Sequence, residues 1–283
     1  MINVRELLTG GDERKTLENY CQQLTQYVVL APTLGLCRVL GKYLMYVDPL
    51  DESLTPHLML DGYWEMWITM AIANYVRAGM RVIDVGAHVG YYTLLLSDIV
   101  GDKGEVIAFE PTDRTRAYLH KNLERNGARN VRVSHQAVSA VCGRATLGIS
   151  RTNSGTNGLW DLNAPSEPAC GTGFREATQP VETVSLDGVI GPPVQFIKID
   201  AEGNEFAVWL GMQEIIEHSP SLQIAMEYGH KYDAEGKLVR AIADAGFSLH
   251  EILTNGGLSP SRTPEQIAEP CPEGWRMLWL RRA

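Results

Sequence analysis

The sequence predicts an α/β protein built around a parallel sheet with helices on both faces. Three observations carry that prediction. Short apolar runs alternate with helical patterns from residue 81 onward, and a glycine-containing turn, "VIDVGAHVGYYT", joins the first run to the first helix. Two later runs, "AFEP" and "FIKID", carry acids at their tips, Glu110 and Asp200. Strands separated by helices line up in parallel and are covered on both sides, and their carboxyl ends are where such sheets bind ligands.

The elements follow in order. Leu17, Tyr20, Leu24, Tyr27 and Val28 recur at helical spacing and predict an amphipathic helix. "KYLMYVDP" reads as a short strand ended by Pro49. "GYWEMWITMAIANYVRAGM" reads as a helix with Trp64, Trp67, Ala71 and Tyr75 on one face and Gly79 as its stop. Residues 1–60 therefore form an opening appendage of helix and strand, and 61–283 the main domain. In that domain "RVIDV", "EVIAFEP", "VRVSHQAV", "VQFIKID", "LQIAMEY", "FSLHEI" and "RMLWLRR" are strands. "YYTLLLSDIV", "TRAYLHKNLERNG", Asn204–Ile216 and Lys237–Ala245 are helices. Between Val141 and Thr183 the composition shifts to Gly, Ser, Thr, Asn and Pro, so 141–183 is expected to be an inserted loop. Its part from 150 to 180 is expected to form a lid over an acceptor, with Asn153, Asn157 and Trp160 as contact residues, because loops of this length are uncommon unless functional or disordered.

A hydrophobic fraction of 45% allows a sizeable core, and a net charge of −9 argues against broad contact with phosphate backbones. No nucleic-acid partner is expected. Five cysteines (Cys21, Cys37, Cys142, Cys170, Cys271) form no CxxC pair and read as reduced thiols. The amino terminus is polar, and "YVVLA" is far too short to span a bilayer. These features predict a cytoplasmic protein without a membrane partner; the sequence leaves a homo-oligomer open.

The glycine turn decides between ligands. A nicotinamide or flavin site wants G-x-G-x-x-G around a pyrophosphate. Here the spacing is G-x-x-x-G, from Gly86 to Gly90, and Asp84 brings a carboxylate to the same turn. That charge repels a pyrophosphate and suits an ammonium or sulfonium group. Glu110, at the tip of the next strand, is placed to accept the two hydroxyls of an adenosine ribose. Asp84, the glycines and Glu110 together describe a site for S-adenosylmethionine. The plain alternative is that Asp84 caps the turn and Glu110 is solvated; the ordered pair favours the site.

With these pieces in view, the sequence resembles the FkbM-type family of class I S-adenosylmethionine-dependent methyltransferases. The matching stretches are "GYWE" (62–65), "VIDVGAHVGYYTLLL" (82–96), "GEVIAFEP" (104–111), "VETVSLD" (181–187), "FIKIDAEGNE" (196–205) and "MEY" (226–228), in family order over residues 43–229. The resemblance implies a Rossmann-like, seven-stranded, mostly parallel sheet with a reversed last strand. It implies methyl transfer to a hydroxyl, on a sugar or other secondary metabolite. By the same resemblance Asp84, Gly86, His88, Gly90 and Glu110 become cofactor contacts, joined by Ala137 at the end of the third strand. Glu65 would meet the methionyl ammonium. His88 stands where the family pattern leads one to expect asparagine.

The stretch "FIKIDAEGNEFAVW" supplies the catalytic candidates. Asp200 ends the fourth strand, and Glu202 follows in the turn. Glu205 reads as a helix-start residue stabilised by the dipole, and Lys198 as the partner of an acid beneath the site. Asp200, Glu202 and Glu227 have the oxygen chemistry of a Mg²⁺ site, but the spacing demands no metal and none is expected. His230, just past "MEY", is the imidazole candidate for taking a proton, weighed against an ordinary loop histidine. His135 would lie nearer the adenine. Rival functions are a non-catalytic binding module for S-adenosylmethionine or a nucleoside, and methyl transfer to an amine or a nucleic acid. The last lacks the [DN]-P-P-[YF] turn after the fourth strand.

Overall fold

The computed structural model of the protein describes residues 4–11, 13–160 and 177–282. The centre of the expected insertion (161–176, with Cys170) and the side chain of Trp160 lie outside the described residues.

The chain opens with α1 (Val4–Thr9) and α2 (Arg14–Leu24). Tyr27 and Val28, expected on the face of α2, instead begin strand β1 (Tyr27–Ala31), and their side chains are exposed. The β-branched pair Val28-Val29 fits an extended backbone better than a helix. β1, β2 (Leu34–Val39) and β3 (Tyr43–Val47) make a three-stranded antiparallel sheet. α3 (Thr55–Leu60) and α4 (Met66–Tyr75) follow. α4 begins after Glu65, whose φ of 36° turns the chain sharply, so Trp64 precedes the helix rather than lying on it. It ends at Tyr75 because Val76 is already extended; Gly79 lies in the turn beyond.

From Arg81 the alternation runs as the pattern requires: β4 (Arg81–Val85), α5 (Tyr91–Val100), β5 (Glu105–Phe109), α6 (Asp113–Asn126) and β6 (Val131–Ser134). "VRVSHQAV" is two strands rather than one. The chain turns at His135-Gln136, and β7 (Ala137–Val138) joins a different sheet. The stretch expected to be a loop is largely sheet: β8 (Gly143–Ile149), β9 (Gly158–Trp160) and β10 (Ala177–Val184) lie in the order β7-β10-β8-β9. Ala137, Leu147 and Val181 give that sheet a small core of its own. α7 (Leu186–Val189) and β11 (Phe196–Ile199) come next. The helix expected over 204–216 is broken into α8 (Glu205–Leu210) and α9 (Gln213–His218). The break falls at Gly211, where a Cβ would come within 2.3 Å of the Ser139 carbonyl oxygen. β12 (Gln223–Gly229), α10 (Lys237–Asp244), β13 (Phe247–Glu251), α11 (Pro264–Ala268) and β14 (Trp275–Arg282) close the chain.

The main sheet has seven strands in the order β13-β14-β12-β11-β4-β5-β6, parallel throughout except for β14, which runs against both neighbours. This is the class I methyltransferase arrangement, reversed last strand included. Alternation along the strands divides its cores. Val82, Val106 and Ala108 face a cluster completed by Leu94, Leu95, Ile72 and the opening residues Val4, Leu8 and Leu17. Ile83, Val85 and Ile107 face the other, with Val208, Ile215 and Val239. The first sixty residues thus help cover one face of the sheet. Asn122, fully buried on α6, fixes that cover: its amide bonds Tyr46 at both backbone groups (2.6 and 3.0 Å) and the Val89 carbonyl (2.8 Å). The direction of the connections reverses between β4 and β11, the switch point at which open α/β sheets bind ligands.

Candidate active site

A cavity of about 780 Å³ lies over the carboxyl ends of β4, β5, β11 and β12, within the roughly 300–1,000 Å³ of ordinary ligand sites. Gly86, Ala87, His88, Glu110 and Ala137 line it on the side of β5. Asp200, Glu202, Glu227 and Trp275 line it on the side of β12 and β14.

Gly86 has φ +78°, and a Cβ there would stand 1.9 Å from the Asp200 carbonyl oxygen. Only glycine lets the turn after β4 pass so close to the end of β11. His88 also adopts a left-handed backbone (φ 52°), a conformation histidine tolerates better than most residues. Its N–H donates to Glu110 Oε2 at 2.9 Å, while the Thr112 N–H donates to Oε1 at 2.8 Å. Glu110, a lining residue, is thereby fixed by two backbone N–H groups.

Two expected contacts stand elsewhere. Gly90 does not line the cavity; its φ of +95° and a would-be Cβ 2.6 Å from Leu119 Cδ1 make it the close-packing point between the turn and α6. Asp84 is fully buried beneath the turn and does not line the cavity either. Thr93 Oγ1 donates to its Oδ2 at 2.6 Å, and Oδ1 has no hydrogen-bond partner. Burial pushes this carboxyl up; Lys198, directly across in the register of β11, and the Thr93 bond oppose the rise. Asp84 is a carboxyl under the site, not a wall of it.

Lys198 is 1% exposed and lies 3.1 Å from Asp200 Oδ2 and 5.0 Å above the Tyr92 ring. Burial alone would strip its proton, but Asp200 and Asp84 outweigh burial and keep it charged. The expected acid partner is Asp200. Asp200 is in turn raised by burial but held below its usual range by Lys198 and by hydrogen bonds from Glu227 and Lys198. Glu227 moves the other way: burial and Asp200, with which it shares a hydrogen bond, raise it far enough to stay protonated at neutral pH. Glu202 (φ 52°) is pushed up to about 8 by burial and by Asp200. Each of these three offers an oxygen within 4.8 Å of the other two. They are close enough to hold a hard cation, and close enough to share a proton without one. Glu205 takes the structural role expected of it, with Oε1 accepting the Ala201 and Gly203 N–H groups at 2.9 and 3.2 Å.

Glu65 lines the cavity and accepts a 3.0 Å bond from the Tyr92 hydroxyl. Burial and the Asp200 carboxylate push it up to about 7. His230 is not among the lining residues; it sits in a single 3₁₀ turn with Nδ1 buried and unpartnered. His135 is exposed beside Glu182 and is not a lining residue. Asn153 and Asn157, expected contacts of the insertion, do line the cavity. Residues nearer the amino terminus, not expected at the site, line it as well. Arg14, paired with Glu18 at 2.7 Å and lying 5.4 Å over the Trp67 ring, reaches the same cavity, as do His57, Asp61 and Trp64. The Arg14–Glu18 spacing marks an ion pair on one helix face but not that it lines a cavity.

The Methyltransferase FkbM domain family matches residues 84–252. Protein-L-isoaspartate O-methyltransferases are similar over a shorter stretch. That of Methanothrix thermoacetophila is 35% identical over 75 residues, 26% of this chain and 32% of the relative; that of Aeropyrum pernix is 36% identical over 73 residues, 26% of each. The chain thus matches about a third or less of the length of these curated relatives. Among solved structures, a methyltransferase FkbM from Methylobacillus flagellatus KT is 16% identical, covering 74% of this chain and 45% of that one, with a TM-score of 0.44. A methyltransferase-like protein of Streptococcus mutans solved with S-adenosylhomocysteine is 12% identical, covering 77% and 95%, with a TM-score of 0.42. With more than half of its residues matched by one family, the chain belongs to the FkbM-domain methyltransferases.

Proposed function

We propose that this chain is an S-adenosylmethionine-dependent methyltransferase acting on a hydroxyl of a small molecule. One observation carries it: the Gly86 turn and Glu110 open onto the same cavity as Asp200, Glu202 and Glu227. The residues fit the cofactor. Glu110 would hold the ribose hydroxyls, Glu65 the methionyl ammonium, and Ala137, Val138 and Leu147 offer apolar surface to the adenine. When bound, S-adenosylmethionine supplies an electrophilic methyl group on a sulfonium centre. The remaining work falls to Asp200, the one acid of the trio held ionised at neutral pH, which accepts the acceptor's proton. Glu227, protonated, and Glu202 orient the acceptor hydroxyl beside it.

Calorimetry with S-adenosylhomocysteine tests the cofactor half. Glu110→Ala removes a charge-assisted ribose contact and is expected to weaken binding by about 1.5–3 kcal/mol with the fold intact. Unchanged affinity would remove Glu110 from the site.

Binding is also expected to release protons. With its carboxyl near 7, Glu65 is about half protonated at pH 7, and an ammonium beside it favours the ionised form. The raised group loses its proton as pH climbs, so affinity should rise from pH 6 to 7.5. Titrations in buffers of different ionisation enthalpy should report about half a proton released per ligand at pH 7, a release lost in Glu65→Gln. Equal release in that variant would assign the proton elsewhere.

A further inference from the structure

The inserted hairpin was expected to be a loop over the acceptor, yet its tip is tied to His88 in the turn after β4 and to Asp51 in the opening segment. Ser154 Oγ lies 2.6 Å from Asp51 Oδ1 and 2.6 Å from His88 Nε2. Asp51 also accepts the Ser154 N–H at 2.9 Å, so two bonds join it to one residue of the hairpin. Ser53 Oγ donates to the same carboxylate at 2.9 Å and accepts the Gly155 N–H at 3.2 Å. Nearby, Arg114 ties the Arg151 carbonyl at 3.0 Å and forms an ion pair with Asp48. Asp51 is 6% exposed.

Donor logic gives this chain of bonds a direction. An ionised Asp51 only accepts, so the Ser154 hydroxyl donates to it. Ser154 Oγ is then left to accept, and the His88 ring donates from Nε2. The backbone N–H of the same His88 holds Glu110. A single residue therefore links the hairpin to the acid that would carry the ribose. Ser154, Asn153, His88 and Glu110 all line one cavity.

We propose that Asp51, Ser154 and His88 form a clasp that closes the inserted hairpin over the cofactor end of the cavity, so that the hairpin sets how long the cofactor stays. The proposal rests on the methyltransferase reading for the identity of what is held. It makes Ser154 a positioning residue, acting on Glu110 through His88. A charge-assisted chain of this kind strengthens each of its bonds, so cutting one weakens the others.

The test is the release rate of radiolabelled S-adenosylhomocysteine chased with unlabelled ligand. Ser154→Ala and His88→Asn are each expected to release it about tenfold faster, asparagine being tolerant of the left-handed backbone but without a ring to reach the hairpin. The double variant should be no faster than either single one, since both cut the same chain. Ser154→Thr, which keeps the hydroxyl, should stay near wild type, a rescue that loss of packing does not give. Hydrogen exchange without any ligand should be faster at 150–157 in Ser154→Ala. If wild type binds the ligand and Ser154→Ala releases it at the wild-type rate, or if the two effects multiply in the double variant, the clasp is overturned while the cofactor site stands. A wild type that binds no S-adenosylhomocysteine overturns the cofactor reading and the clasp with it.

Discussion

Gly86→Ala is expected to abolish S-adenosylhomocysteine binding and to destabilise the protein by about 2–5 kcal/mol, the sum of a left-handed backbone forced on alanine and an overpacked contact. The contact is with backbone: the new Cβ would lie 1.9 Å from the Asp200 carbonyl oxygen and 3.1 Å from its carbon. Backbone at a strand end has no rotamer through which to yield. Either the turn after β4 moves, carrying His88 and Glu110 out of register, or the end of β11 moves and takes Asp200 and Glu202 with it. Both outcomes dismantle the cavity. Gly79→Ala supplies the control, because Gly79 has a similar φ of +81° and open space around its Cβ position. It should lose only about 1–2 kcal/mol, the backbone strain alone, and bind ligand normally. Urea unfolding and calorimetry on the two variants separate strain from clash. Equal losses in both, with binding retained, would show that the close approach of turn and β11 does not matter.

The same residues explain why the sheet and the turn were legible in the sequence and much of the site was not. Runs such as Arg81–Val85 and Phe196–Ile199 are buried on both faces, so their apolar character is local information. The Gly86 turn announces itself through its glycine and the strand before it. Asp84 misled because its position next to that turn suggested a ligand contact. Its phase carried the correction: it shares a face with Val82, and Lys198 stands across from it in the register of β11. A buried acid beside a buried lysine is a pair supporting the site from below. The inserted sheet was illegible for another reason. β10 ("ATQPVETV") carries a proline and exposed polar positions, and its partner β8 is far enough away in sequence that no short-range pattern joins them. The walls supplied by Arg14, Glu18 and Trp67 depend on how α2 and α4 pack, a tertiary fact that helical periodicity does not encode.

Asp200→Asn is expected to slow the chemical step by about 10²–10⁴-fold, the range for loss of a positioned proton acceptor, while S-adenosylhomocysteine affinity stays within about threefold. The expectation follows from the division of charge at this wall. Burial raises all three acids, but Lys198, 3.1 Å away, singles out Asp200 for ionisation, and its side chain keeps 27% of its surface accessible. Glu227 holds the shared proton against Asp200, and Glu202, near 8, is mostly protonated at pH 7. Of the three, only Asp200 is both charged and at the cavity wall. Asparagine keeps its shape and its bond from Lys198 but accepts no proton. Single-turnover transfer to a hydroxyl acceptor reads the chemical step apart from binding and release. The same assay in EDTA distinguishes the two uses to which three converging carboxyls can be put. Proton transfer to Asp200 predicts a wild-type rate indifferent to chelator. Turnover that disappears in EDTA, returns with Mg²⁺ and never appears in Asp200→Asn would instead make Asp200, Glu202 and Glu227 ligands of a cation. Lys198 would then be hard to account for, since a buried ammonium 3.1 Å from a metal-binding oxygen opposes the ion it would have to share that oxygen with.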